Sequence, residues 1–342
     1  MQRHRIVFTA CLGFALMFAS NVARAQYQLT NLVSNQIGSA KHIDPLLVNA
    51  WGLTYGPGGP FWISDEASGW STLYDGNGNK QGFEVLVPSV SGQGPGSATG
   101  IVYNGSQDFA VQGWASIFLW ASLDGTISGW APQSNPNQSI IAVNNSSTGA
   151  VYTGLAITSK ASGNFLFAAD SANNKVDVYD ANFNLVTSFT DTTLPTGFAP
   201  FGIQDINGQV YVAFASSSGG SGGYIDIFSE SGSFEKRLVE NGRLNQPWGF
   251  AAAPSAFGPL SNTLLISNNL NKSGVINAFN ITTGQYVGTV KDTSGNVIKI
   301  DQLWGLEFGG GTSSNGGTHE LFFTAGPSNN LAGTFGVIAL KK

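Results

Sequence analysis

Cysteine is nearly absent from this 342-residue chain, with Cys11 the only one. One thiol excludes an intramolecular disulfide framework and a cysteine-based zinc site, so the fold must be held by its own core. Histidine is scarce, at three residues, and methionine scarcer, at two. Charged residues make up 10% of the chain, and acids outnumber bases for a formal net charge of −5. That balance argues against nucleic acid and against an anionic membrane surface as partners. No stretch after residue 25 keeps a 3.6-residue apolar period, so a helical core is excluded. No apolar run reaches the roughly 20 residues that span a bilayer. A serine or cysteine triad has no support. The glycine-rich stretches GPGSATG and GGSGG lack the Lys-Ser/Thr of a phosphate loop.

Glycine, by contrast, is abundant: 45 residues, nearly twice the usual share of about 7%. Val, Ile, Phe, Tyr, Trp and Thr are plentiful, with Ser, Asn and Gly between them, which is a sheet-and-turn composition. Neither a composition shift nor a linker divides the chain, so residues 26–342 read as one domain.

The first 25 residues stand apart. MQRHR is basic, residues 6–19 are largely apolar, and Ala23 and Ala25 place small side chains where a signal peptidase needs them. The segment reads as a secretory signal peptide cut before Gln26, which leaves no membrane anchor and predicts a secreted or periplasmic protein. FTAC at 8–11 loosely suggests a lipoprotein signal, but too little apolar sequence precedes Cys11. Cleavage would remove Cys11, Arg3, Arg5 and Arg24, and take the net charge from −5 to −8.

A short phrase recurs along the remainder: AWGL, ATGI, YTGL, PFGI, PWGF and LWGL, centred on Gly52, Gly100, Gly154, Gly202, Gly249 and Gly305. Each copy opens an apolar strand, followed by a second (SIFLWAS, NFLFAAD, QVYVAFA), a third (KVDVYD, YIDIFS) and, in most copies, a fourth. Four strands per repeat of roughly 50 residues predict an all-β, six-bladed β-propeller of four-stranded antiparallel blades. The glycine is expected where inner strands crowd round the axis. Trp51, Phe201, Trp248 and Trp304, which precede four of the glycines, are expected to wedge between adjacent blades. The sixth copy lacks a fourth strand, and YQLTNLV at 27–33 is a lone strand that can supply it and close the ring.

Residues 154–189 resemble the NHL repeat of six-bladed propellers. The whole of residues 27–340 is similar to a family of exported bacterial propeller proteins without assigned function, marked by the DPxLVNxWGL motif that runs here from Asp44 to Leu53. The resemblance implies fold and export, and no activity.

Two polar sets should converge at one face of such a ring. Asn49, Gln246 and Gln302, with Ser97, precede the glycine by three and are candidate ligand-binding residues. Asp65, Asp170 and Asn268 close second strands and are candidate metal ligands, because oxygen-rich Asp/Asn sets suit Ca²⁺. The alternative is that these residues cap turns through their own side chains. Asp75-Gly76-Asn77-Gly78-Asn79 resembles the start of an EF-hand loop but has Lys80 where glycine belongs, so it reads as a hairpin turn. His42 and His319 occupy no repeat-equivalent position and read as loop residues. Trp70 and Trp114 lie in or near loops, where they could stack on a sugar or pack in the core.

The functional reading is a binding or scaffold protein outside the cytoplasm, monomeric, with a protein, peptide or glycan as partner. The alternative is a Ca²⁺-dependent hydrolase, lactonase or lyase acting at the central channel. N-terminal sequencing of the protein recovered from periplasm or medium is expected to begin at Gln26. A mature chain that starts near Met1 overturns the export reading.

Overall fold

The computed structural model describes residues 27–160 and 163–341; the predicted signal segment lies outside them. Six antiparallel sheets stand round a common axis. Their inner strands are Ala50–Tyr55, Ala98–Tyr103, Tyr152–Lys160, Phe198–Ile206, Pro247–Ala252 and Leu303–Phe308, which begin blades one to six. Each packs against the next, and the sixth returns to the first. Within a blade the chain steps outward by hairpins, as in blade three: Tyr152–Lys160, Gly163–Asp170, Lys175–Tyr179, Leu185–Phe189. The outer strand of blade one is the shortest, with only Val85–Leu86 paired.

The ring is closed as the lone strand predicted. Tyr27–Ser34 lies antiparallel to Thr334–Leu340, with Tyr27 opposite Leu340 and Ser34 opposite Thr334. The N-terminal strand is thus the outer strand of blade six, and His42–Ile43 adds a short parallel edge beside it. The motif beginning at Asp44 anchors the crossing to blade one. One Asp44 carboxylate oxygen accepts the Tyr74 hydroxyl at 2.7 Å and the Lys80 ammonium at 3.0 Å, and the other accepts the Leu46 amide.

Each blade-to-blade interface holds one apolar cluster. Phe61, Ile63, Phe322 and Phe335 fill the seam between blades six and one, and Trp62, Phe118, Trp120 and Trp130 that between one and two. Four further clusters fill the remaining seams. This follows from the period of two: alternate side chains of every strand face opposite neighbours, so both faces of a blade are buried.

The repeated phrase proves to be a β-bulge. In all six inner strands the pairing register slips at the glycine phrase; in blade one, Trp51 and Gly52 together oppose Ser64. The glycine then sits against the next blade's backbone. A Cβ on Gly52 would lie 2.6 Å from the Thr99 carbonyl oxygen, and one on Gly249 2.5 Å from that of Trp304; the others meet their neighbours likewise, Gly202 most severely against Trp248. Gly202→Ala is therefore expected to lose at least about 3 kcal/mol, at the upper end of overpacking costs. Gly82→Ala, where an added Cβ meets nothing within 4 Å, should be near neutral. Urea unfolding of both variants checks this, and equal midpoints would refute the crowding.

Candidate functional site

The bulge turns the residue before the glycine toward the axis. Trp51, Trp248 and Trp304 do not wedge between blades as the sequence suggested; they meet one another, with Phe201, at the centre of the ring. Trp51 stacks on Trp304 with centroids 3.7 Å apart, and Trp248 stands edge-on to both at 6.0 and 5.9 Å. The indole N–H of Trp248 donates to the Thr153 carbonyl at 2.9 Å, and that of Trp304 to Asn49 Oδ1 at 3.1 Å. Hydroxyls opposite the bulge bind the plug to its frame. Ser267 accepts the Gly249 amide and donates to the Trp304 carbonyl at 2.6 Å; Thr324 accepts the Gly305 amide and donates to the Trp51 carbonyl. The plug divides the channel into an upper side, where inner strands begin, and a lower side, where they end.

The residues singled out in the sequence belong to the upper side. Asn49, Gln246 and Gln302 share a left-handed backbone, with φ of 49°, 50° and 51°. Their carbonyls accept the amides of Glu66, Asn269 and Gly326, which follow the second strands. Asn49 is buried, accepts from Trp304 and donates to Glu66 at 2.6 Å; Gln246 donates to the carbonyls of Ser216 and Gly220.

Asp65, Asp170 and Asn268 each serve their own blade. Asp65 Oδ2 accepts the Thr72 amide and hydroxyl, and burial pushes its carboxyl well above the usual range. Asp170 accepts the amides of Val151 and Asn173 and the Asn173 side chain, and Asn268 accepts the Asn245 amide at 2.6 Å. Each of these bonds lies within one blade, while Asp65 Oδ1 is buried with no hydrogen-bond partner among the described residues. Among the described residues no three His, Cys, Asp or Glu side chains gather where a metal could be held. Asp75 likewise closes its hairpin by accepting the amides of Asn77 and Asn79 and the Asn79 side chain.

Below the plug lies a cavity of about 300 Å³. Trp248 and the glycines of four bulges line its inner end, and Leu53, Ile101, Leu155, Ile203, Phe250 and Leu306 its wall. Polar groups come from a few positions just past the glycine: Thr54 and Tyr55, Tyr103, Gln204 and Asp205, and Glu307. His42, His319, Trp70 and Trp114 are not among the lining residues. Neither were the polar groups found from the sequence. Their signal was a Glu in LWGLEF, where the other copies carry Thr, Val, Ala, Gln and Ala two residues after the glycine.

Glu307 is partly open to the cavity but poorly solvated. Burial pushes its carboxyl up to about 7, against one bond from the Phe308 amide that lowers it. Burial and the Glu307 charge together raise the Tyr55 hydroxyl to about 12. A carboxyl raised from 4.5 to about 7 adds stability at low pH and loses it as pH climbs from 4.5 through 7. Glu307→Gln is thus expected to melt with wild type at pH 4 and above it at pH 8, by on the order of 3 kcal/mol. Parallel pH–melting curves for the two proteins would refute a strained carboxyl.

No family model matches the sequence. Two uncharacterized proteins of Acanthamoeba polyphaga mimivirus are similar to it along most of their length. One is 32% identical over 94% of this chain and 82% of its own, the other 31% over 86% and 82%. These relatives are viral, whereas the DPxLVNxWGL resemblance pointed to bacterial proteins. Among solved structures, a streptogramin B lyase aligns with a TM-score of 0.55 at 12% identity, over 92% of this chain and 98% of that one. Virginiamycin B lyase from Staphylococcus aureus aligns at 0.52 and 13%, over 92% and 99%. The WD40 propeller domain of Doa1 aligns at 0.50 and 10%, over 91% and 96%. At such identities the likeness establishes the β-propeller fold alone. By its relation to the mimivirus proteins, and with this fold, the chain belongs to their family of β-propeller proteins.

Proposed function

We propose that the protein is an exported, monomeric binding protein that recognises an extracytoplasmic protein or peptide through the lower mouth of its channel. The observation that carries this reading is that the channel is blind. A continuous pore would need an open centre, and the four-ring plug fills it. What remains below is a concave pocket lined by bulge glycines and Trp248, with Thr54, Tyr55, Tyr103, Gln204, Asp205 and Glu307 supplying polar groups, and concave sites with a few convergent polar groups are where ligands bind. The surrounding blades are fixed by six packed seams, so the groups at the mouth are held without induced ordering. A glycan is the less favoured partner, because at about 300 Å³ the cavity stands at the bottom of the usual range for ligand pockets. Export is supported by the composition of residues 1–25, a basic start, an apolar run and small residues at Ala23 and Ala25.

Gln204 reaches the cavity from blade four and is only partly buried, so a larger side chain there fills the mouth without entering a seam. Short peptides that raise the melting temperature of the wild-type protein should fail to do so with Gln204→Trp. Peptides that stabilise both proteins equally would place recognition elsewhere on the ring and defeat the proposal.

A further inference from the structure

Glu307, Tyr55 and Tyr103 come from blades six, one and two, which are consecutive, and all three line the cavity. The Tyr103 ring packs against the hairpin that follows Tyr55, so close that a Cβ on Gly56 would lie 2.9 Å from it. The three groups therefore form one arc: a carboxylate, then two phenol rings. Across the cavity stand Gln204 and Asp205 of blade four, and Asp205 is already engaged with the Gly208 amide at 3.3 Å. The inner wall between is formed by four bulge glycines and the residues after them, whose side chains pack in the seams. No described Lys, Arg or His lines the cavity. Glu307 takes part in none of the ion pairs formed among the described residues. A carboxylate in such a place lacks its counter-charge, and aromatic faces beside it attract cations through the ring quadrupole.

We infer that the cavity receives an ammonium group carried on an apolar stem, with Glu307 as its charge partner and Tyr55 and Tyr103 as its aromatic neighbours. This rests on the cavity being the recognition site. A stem of about four methylenes lies along the inner wall formed by the bulge glycines and the strands that leave them, as the lysine side chain does when it buries its chain and keeps its charge solvated or paired. The volume fits one such chain and excludes a bulky anion, which the arc would also repel.

The titratable groups that face a bound ammonium are Glu307 from blade six, Tyr55 from blade one, Tyr103 from blade two and Asp205 from blade four. Since the Glu307 carboxyl lies near 7, affinity should climb about tenfold between pH 6 and pH 8 as the carboxyl ionises.

The test is calorimetric or NMR titration of the full chain with N-acetyl-lysine methylamide, its norleucine counterpart and n-butylammonium. Saturable binding of the lysine probe is expected, at least about tenfold tighter than norleucine and weakened about tenfold by Glu307→Gln, the scale of one pKa unit. Tighter binding of the lysine probe than of n-butylammonium identifies a peptide as the source; equal binding identifies a free amine. Norleucine that binds as well as lysine overturns the ammonium assignment while leaving the pocket reading intact, provided Gln204→Trp blocks both. Undiminished lysine affinity in Glu307→Gln overturns the assignment of the charge partner. Absence of saturable binding by every probe overturns the proposal together with the reading beneath it.

Discussion

The whole architecture depends on one backbone irregularity, the bulge at the glycine phrase of each inner strand. A regular strand would keep every side chain in the seams between blades. The extra residue of the bulge leaves the pleat and points to the axis instead. Glycine follows because the neighbouring inner strand then passes where its Cβ would be, against Thr99 for Gly52 and Trp304 for Gly249. The bulge also strands peptide groups that a regular ladder would have paired. Ser267 and Thr324 take up that slack, each binding the glycine amide of its own blade and the carbonyl of the next. In blades five and six, crowding and polar satisfaction are thus met at one point.

What the bulge delivers to the axis sets the character of the channel. Blades two and three contribute Thr99 and Thr153, whose hydroxyls donate to the carbonyls of Tyr152 and Ala169. Blades one, four, five and six contribute large aromatics, and four such rings are enough to fill the centre. Aromatic pairs add about 0.5–1.5 kcal/mol each beyond area burial, so the plug ties distant blades together as well as blocking the pore. Because it is asymmetric, the two sides differ. Above it, Asn49, Gln246 and Gln302 take the left-handed turns that start their blades. Below it, a cavity lined by the bulge glycines ends at Glu307, whose carboxyl is raised by burial.

Closure of the ring by its two termini serves the same economy. The strand Tyr27–Ser34 covers the third strand of blade six, and the Tyr27 hydroxyl donates to the Phe257 carbonyl in blade five at 2.6 Å. Asp44 then carries the chain into blade one through Tyr74 and Lys80. The DPxLVNxWGL stretch is therefore a structural splice: its acid orders the crossing, its asparagine holds an indole of the plug, and its Trp-Gly forms the first bulge.

The sequence by itself determined the class of the fold, the number of blades, the strands within them and the closing partner of blade six. Those features are local or periodic. Alternation, turn residues and the recurrence of Trp-Gly survive in one dimension, and a fourth strand missing at one end and present at the other can be matched by counting. Only the tertiary structure decided where the aromatics go, because a bulge of one residue reverses a side chain's direction without altering the apolar pattern. It also gave the hydrogen bonds that Asp65, Asp170 and Asn268 make within their own blades, which residue type alone could not show, since capping and metal binding draw on the same residues. Glu307, Tyr55 and Tyr103 lie at least 48 residues apart along the chain, and no spacing rule joins them. Their meeting follows from the curvature of the ring, which brings the far ends of three inner strands to one mouth.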